Sequence, residues 1–176
     1  SRLAQMPNPL DRNPLLTRIR RNHAVEHATI HVLSARYPHT PIAGRADGNG
    51  YLILGSLPTQ AVAECAREAA SRLRSGEGHL AVHPNCGTSF LTAAVLAGAA
   101  SYLSLLGGRS SRWQDRLERL PLAIFSTVFA LIVAQPLGAA DQRHLTTSSE
   151  IGQLEIMDVQ QIRGGRTSVH RVLTQG

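Results

Sequence analysis

The sequence contains no lysine, few aromatic residues and only two cysteines, and each shortage excludes a class of protein. Phe, Tyr and Trp make up 4% of the residues and the arginines are scattered, so the basic stripe with interleaved aromatics that binds nucleic acid is missing. Two cysteines are also too few for a disulfide framework. We therefore expect neither a nucleic-acid partner nor a disulfide scaffold.

Positive charge remains to be explained, because all 18 basic residues are arginine and the formal net charge is +6. A charge of this sign suits an anionic surface or an acidic partner. With nucleic acid excluded, we expect the arginines to meet the anionic headgroups of a lipid bilayer.

Apolar residues are concentrated in two runs, residues 90–106 and 120–140, which contain no charged side chain. Each run approaches the length of about 20 residues that a helix needs to cross a bilayer. Alanine and glycine in the first run suit close packing of two helices in lipid. The linker at residues 109–119 carries four arginines and Trp113, as expected of a turn at headgroup level. The sequence predicts a two-helix transmembrane hairpin.

A helix is predicted at residues 14–36, because Asn13-Pro14 is a helix-start signal and Tyr37-Pro38 stops the helix. It contains the one short motif with candidate chemistry, His23-Ala24-Val25-Glu26-His27. Residues four apart share a helix face, so His23 and His27 can present two imidazole nitrogens to one ion. Glu26 lies beside that ion without having to bind it, as a general base does. The pattern H-x-x-E-H is the inverzincin signature, in which zinc activates a water and the glutamate takes its proton. We expect zinc or another divalent transition metal.

A complete site needs a third ligand, and three sources are open. His83 and Cys86 are both good zinc ligands, three residues apart across a turn. With His83 alone one coordination position stays open for chemistry, whereas binding by Cys86 as well closes the site and makes it structural. A carboxylate after the hairpin is the remaining source, from Glu150, Glu155 or Asp158.

The other histidines carry weaker signals. His31 extends the motif face by one turn and is expected to support the site rather than to bind the ion. His79 is predicted to share a strand face with His83, in a strand at residues 79–83. His39, His144 and His170 have no motif around them, and we expect structural roles for these three.

The predicted fold class is α+β, in which the metal-motif helix and a small mixed sheet are interrupted by the transmembrane hairpin. A second helix is predicted at residues 58–74 from an apolar stripe formed by Ala61, Val62, Cys65, Ala69 and Leu73. Strand patterns occur at residues 41–44, 51–54, 79–83, 152–162 and 167–174, the last two around a turn at residues 163–166. The expected divisions are a metal-binding part at residues 1–89, the hairpin at 90–140, and a β-hairpin at 141–176 that completes the soluble part.

The two motifs together resemble those of a family of bacterial membrane proteins of unassigned function. Its members carry an H-x-x-E-H helix, then an H-P-x-C-G-T-[S/N] turn, then hydrophobic helices. The matching residues are His23, Glu26, His27, His83, Pro84, Cys86, Gly87, Thr88 and Ser89. The resemblance implies an inverzincin-like, metal-dependent membrane enzyme with no established substrate. This chain departs from the family in being shorter and in having only two apolar runs. Two helices are too few to enclose a cavity within the membrane, so we do not expect one here.

Two functions are therefore expected from different classes. The first is a membrane-anchored zinc hydrolase, a metallopeptidase with Glu26 as its base, acting on a membrane protein near the bilayer surface. The alternative is a non-enzymatic accessory subunit of a larger membrane complex, with a structural metal. We expect an integral protein of the bacterial inner membrane whose two flanking parts lie on the same side. The four arginines of the linker favour a cytoplasmic linker, whereas the ten arginines of the N-terminal part and the lack of a visible export signal favour cytoplasmic flanking parts, which is the side we assign.

Overall fold

The computed structural model describes residues 9–106, 113–165 and 167–176. The chain divides into two compact units. Unit 1 comprises the described residues up to His83 together with Arg143–Gly176, and unit 2 comprises the described part of Pro84–Gln142. Unit 1 contains helices and a four-stranded antiparallel sheet, and unit 2 contains two helices apolar enough to cross a membrane. The predicted α+β class is confirmed, with a small sheet that is antiparallel throughout where a mixed one was expected.

Unit 1 begins with helix α1, Pro14–Arg36, which starts and ends where the sequence predicts. The Asn13 side chain accepts hydrogen bonds from the backbone N–H groups of Leu15 and Leu16, at 3.0 and 3.3 Å. Pro14 occupies the first helical position, where its missing N–H costs nothing. Because of this cap, the motif residues fall in the middle of a regular helix.

The sheet of unit 1 is built from two hairpins with strand order β1-β2-β4-β3. The strands are β1 (Ala43–Asp47), β2 (Gly50–Gly55), β3 (Glu155–Arg163) and β4 (Ser168–Gln175), and all neighbours pair antiparallel. The second hairpin follows the predicted strands closely, whereas β1 lies a few residues later than expected. Of the predicted turn at residues 163–166, Arg166 lies outside the described residues.

The core of unit 1 lies between the sheet and two helices, α1 and α2 (Thr59–Arg74). Helix α2 buries the predicted apolar stripe, which includes Val62, Cys65 and Leu73. Tyr51 and Ile53 of β2 are fully buried in the same cluster. Burying one such aliphatic side chain contributes about 1.5–3 kcal/mol. This packing holds α1 against the sheet.

The predicted strand at residues 79–83 is wrong. Residues Gly78–Ala81 form a single 3₁₀ turn, in which the Leu80 N–H donates to the Glu77 carbonyl at 3.1 Å. Leu80 and Ala81 are buried against the core, so the segment packs on unit 1 without joining the sheet. His79 and His83 therefore do not share a strand face. An alternation of five residues was too short to separate a strand from a buried turn.

Unit 2 consists of helices α3 (Gly87–Leu106), α4 (Trp113–Glu118) and α5 (Leu120–Asp141). Helices α3 and α5 pack against each other, and α5 is followed directly by a polar π-helical turn, Gln142–Thr146. Their length and composition would allow both to cross a membrane, which suggests membrane association. Trp113 is exposed, and residues 109–112 of the predicted headgroup-level linker lie outside the described residues.

Candidate metal centre

Two histidines of α1 form the centre of the site. The rings of His23 and His27 stand 4.3 Å apart between centroids, one helical turn from each other. Each offers a ring nitrogen, and these two ligand atoms lie within 4.8 Å of one another, a separation at which both can bind one ion. The structure therefore brings together the pair that the motif predicts.

Backbone carbonyls fix the tautomer of both rings. His27 Nδ1 lies 2.7 Å from the Ala81 carbonyl oxygen, and His23 Nδ1 lies 3.0 Å from that of Thr146. A carbonyl can only accept, so each Nδ1 carries the proton and donates it. Each Nε2 then holds a lone pair. Metal-binding histidines commonly show this arrangement, because the second hydrogen bond orients the ring and raises its basicity.

His27 supplies the observation that tests whether a metal fits. The side chain is 1% exposed, and its Nε2 has no hydrogen-bond partner among the described residues. Leaving a buried polar atom unsatisfied costs about 1–3 kcal/mol. A metal ion would satisfy this nitrogen with the lone pair that the tautomer provides. The residues present therefore fit a transition-metal ion.

Two more histidines of unit 1, His31 and His83, lie near this pair, although among the described residues neither has a ring nitrogen in the group of ligand atoms gathered within 4.8 Å. The His83 ring lies 5.9 Å from that of His27 and 4.8 Å from that of His31, between centroids. Burial, together with the charges of the nearby His31 and His27, lowers the pKa of His83 to about 4. A neutral imidazole is the form that binds metal. His31 Nε2 donates to the Val82 carbonyl oxygen at 2.9 Å and so supports the backbone beside His83.

Glu26 is buried in unit 1, and its carboxylate lies against the backbone of β1. A Cβ on Gly44 would come within 2.8 Å of Glu26 Cδ, so this position has room only for glycine. Burial raises the pKa of Tyr51, and the negative charge of Glu26 contributes to the rise, which places that carboxylate near the Tyr51 hydroxyl. Among the described residues, Glu26 does not belong to the group of ligand atoms, those of His23 and His27 among them, that lie within 4.8 Å of one another. This fits a residue next to the site that is not itself a ligand.

Cys86 belongs to unit 2, where it precedes α3. It is buried, its Sγ lies 2.8 Å from Thr88 Oγ1, and its carbonyl accepts from the Ser89 N–H at 3.0 Å. Its part as a ligand stays a prediction. The alternative carboxylates Glu150, Glu155 and Asp158 are exposed, and none of them joins the gathered ligand atoms among the described residues.

Sequence reasoning missed the segment that supports His23. After α5 the chain returns to unit 1, where Arg20 Nη2 donates to the carbonyl oxygens of His144 and Thr147 at 3.2 and 3.0 Å. These contacts join residues more than 120 positions apart. The only local signal was that Arg20 stands three residues before His23, on the same helix face.

The chain is similar to proteins that have no known function. The family described as "Domain of unknown function (DUF6391)" matches residues 18–159. An uncharacterized protein of Picosynechococcus sp. is 34% identical over 143 residues, which cover 74% of this chain and 66% of the relative. The chain thus spans just under two thirds of the length of that relative. No solved structure matches the chain.

Proposed function

The chain belongs to the DUF6391 family, and we propose that it is a membrane-anchored zinc-dependent hydrolase, a metallopeptidase that acts near the membrane surface. The observation that carries the proposal is the His23–His27 pair. Both rings donate Nδ1–H to a backbone carbonyl, and the buried Nε2 of His27 needs a partner. Metal-binding histidines commonly donate their other ring N–H in this way, so the prepared pair supports a metal site.

The ligand set of the proposal is His23 and His27 with His83 as the third histidine. Zinc bound by three protein ligands keeps one position open and supplies Lewis acidity toward a carbonyl group. The lowered pKa of His83 keeps its imidazole neutral at physiological pH. Cys86, three residues further along the chain, is the ligand that would close the site.

Glu26 is the proposed general base. The helix places its carboxylate one residue before His27, and the space left by Gly44 allows it to be buried. In this role a carboxylate oxygen of Glu26 accepts a proton from the attacking water and later returns it to the leaving amine. General acid–base catalysis of this kind contributes typically 10²–10⁴-fold in rate.

The membrane location rests on α3 and α5, which are long and apolar enough to cross a bilayer. His83 precedes the first residue of α3 by four positions, so chain connectivity keeps this ligand close to the start of the hairpin. We infer that the substrate is a membrane-protein segment near the surface of the bacterial inner membrane, on its cytoplasmic side. Arginines of the net positive chain would contact anionic headgroups.

The test uses the full chain in detergent, with bound zinc measured by mass spectrometry and hydrolysis measured on a library of membrane-protein peptides. Glu26→Gln should keep stoichiometric zinc and lose about 10²–10⁴-fold in turnover. The matched control is Glu64→Gln, an exposed carboxylate paired with Arg36, which should leave turnover unchanged. Equal turnover in wild type and Glu26→Gln would remove Glu26 as the base.

The accessory-subunit alternative draws on one feature of unit 2. On the exposed side of α3, a Cβ at Gly98 would meet no atom within 4 Å, and Ala94 lies one turn away. Small residues of this spacing let another membrane helix approach closely. This alternative requires a closed site, so Cys86→Ser should release the metal, whereas in the hydrolase the variant should keep both zinc and turnover.

A further inference from the structure

We infer that Arg20 is a positioning residue for the metal ligand His23, acting through the segment that returns from α5. The inference rests on the proposed metal site and extends it to a residue outside the H-x-x-E-H motif. Arg20 does not carry ligand chemistry itself. It fixes the backbone carbonyl that orients the His23 ring.

The contacts form a short chain within unit 1. Arg20 Nη2 donates to the carbonyl oxygens of His144 and Thr147, and the carbonyl of Thr146, which lies between them, accepts from His23 Nδ1. A backbone hydrogen bond joins the same two segments, since the Ser148 N–H donates to the Arg20 carbonyl oxygen at 3.2 Å. Arg20 and Thr147 are 6% and 1% exposed. The Thr146 carbonyl is thus held from both sides.

The chemistry of the segment explains why a donor is needed there. The carbonyls of His144 and Thr146 belong to the π-helical turn Gln142–Thr146 and that of Thr147 follows it, and carbonyl groups at the end of a helix lack partners within the helix. A buried carbonyl without a partner is costly, so an arginine that reaches two of them stabilises this end. Since His23 depends on the carbonyl between those two, movement of the segment would rotate the imidazole and displace its Nε2.

Arginine is required rather than positive charge alone. A guanidinium is planar and carries five N–H donors in a rigid arrangement, whereas an ammonium is a compact charge on a flexible stem. Arg20→Lys keeps the charge and can still donate to one carbonyl, but it does not reproduce the fixed geometry. This variant is milder than Arg20→Gln, so it should keep the fold while loosening the segment.

The experiment is a double-mutant cycle on zinc affinity, measured by chelator competition with the full chain in detergent. Arg20→Lys should weaken zinc binding by about tenfold, at the lower end of what outer partners of metal ligands contribute. In the His23→Ala background, where the oriented ring is absent, the same substitution should change the remaining affinity less than about twofold. The control is Arg18→Lys, exposed on the same helix, which should change neither.

The outcomes separate this inference from the proposed function. Equal losses from Arg20→Lys in the wild-type and His23→Ala backgrounds would show a general structural role and overturn the inference. Unchanged affinity in Arg20→Lys would also overturn it. If wild type binds zinc no better than the His23→Ala variant, His23 is not a ligand, and the proposed ligand set fails together with the inference.

Discussion

Helix α1 of unit 1 and helices α3 and α5 of unit 2 distribute polarity in opposite ways. The middle of α1 buries polar side chains, among them Arg20, Asn22, Glu26, His27 and Thr29, while its exposed first turn is partly apolar. Helix α3 buries no residue, and its exposed face is apolar, with Phe90, Leu91 and Val95. Buried polar and exposed apolar side chains thus distinguish the two units, and the exposed apolar face of α3 is what a helix in contact with lipid would need.

Several polar side chains of unit 2 form hydrogen bonds between α3 and α5. Ser104 and Ser126 share a hydrogen bond between α3 and α5, with 2.6 Å between their oxygens, and Ser101 pairs with Thr127 in the same way at 2.5 Å. Thr92 donates to Asp141 at 2.9 Å. In lipid no water can satisfy such groups, so a helix pair must satisfy them internally. These three pairs place polar groups of α3 and α5 between the two helices, as a helix pair in lipid would require.

The largest difference between the two units is expected when arginine replaces an exposed apolar residue in each of them. Phe129 and Met157 are exposed to similar extents, at 67% and 56%. Phe129→Arg should disfavour membrane insertion of α5 by about 3 kcal/mol, because arginine is costly at a helix centre in lipid. Met157→Arg should change the stability of unit 1 by less than about 0.5 kcal/mol. An insertion assay and a denaturation curve measure the two effects.

Equal tolerance of both arginines would contradict the assignment of unit 2 to lipid. It would favour a surface in water for α5, where an exposed arginine costs little.

A second test concerns buried polar groups in unit 1 that have no role in the site. His170 on β4 is fully buried, and neither ring nitrogen has a hydrogen-bond partner among the described residues. His170→Leu should raise the free energy of unfolding by about 1 kcal/mol, because it removes two unsatisfied atoms. His39→Leu, at an exposed position, is the control and should have little effect.

The same variant has a pH signature. Burial lowers the pKa of His170, so the unfolded chain binds its proton more readily than the folded one. Stability is then full above the usual histidine pKa of about 6.5 and falls as the pH drops from there toward the folded pKa. His170→Leu should reduce this slope, leaving the part due to His83, whose pKa is also lowered. An unchanged slope would show that His170 titrates normally.

The smallest expected effect on stability comes from removing one serine hydroxyl group from each unit. Ser104→Ala removes a hydrogen bond inside the helix pair and should destabilise it by about 0.6 kcal/mol in lipid. Ser71→Ala, on the exposed side of α2, should be neutral or slightly stabilising because alanine is the better helix former. Thermal unfolding in lipid nanodiscs measures both, and a neutral Ser104→Ala would weaken the case for an internally satisfied hairpin.

Sequence patterns predicted the features that depend on neighbours in the chain. The limits of α1 followed from Asn13-Pro14 and from the Tyr37-Pro38 stop, and α2 from its apolar stripe. The His23–His27 pair followed from helical spacing alone. These features are set by capping and periodicity, which act over a few residues.

Capping and periodicity could not predict the contacts between segments that are far apart in the sequence. The carbonyls of Ala81 and Thr146, which orient His27 and His23, come from positions far along the chain. Their role depends on backbone placement and not on side-chain type, so no residue pattern indicates it. The strand expected at residues 79–83 failed for a related reason, since packing on the core decides the conformation of so short a segment.

The most direct test of the central claim is zinc stoichiometry and affinity for the wild-type chain and for His27→Ala. Wild type should bind one zinc ion per chain, and the variant should lose on the order of 100-fold in affinity or more, because a ligand contributes at least as much as the partners around it. The control is His79→Ala. His79 is not a proposed ligand, so this variant should bind zinc as the wild type does. Equal zinc binding by wild type and His27→Ala would contradict the account.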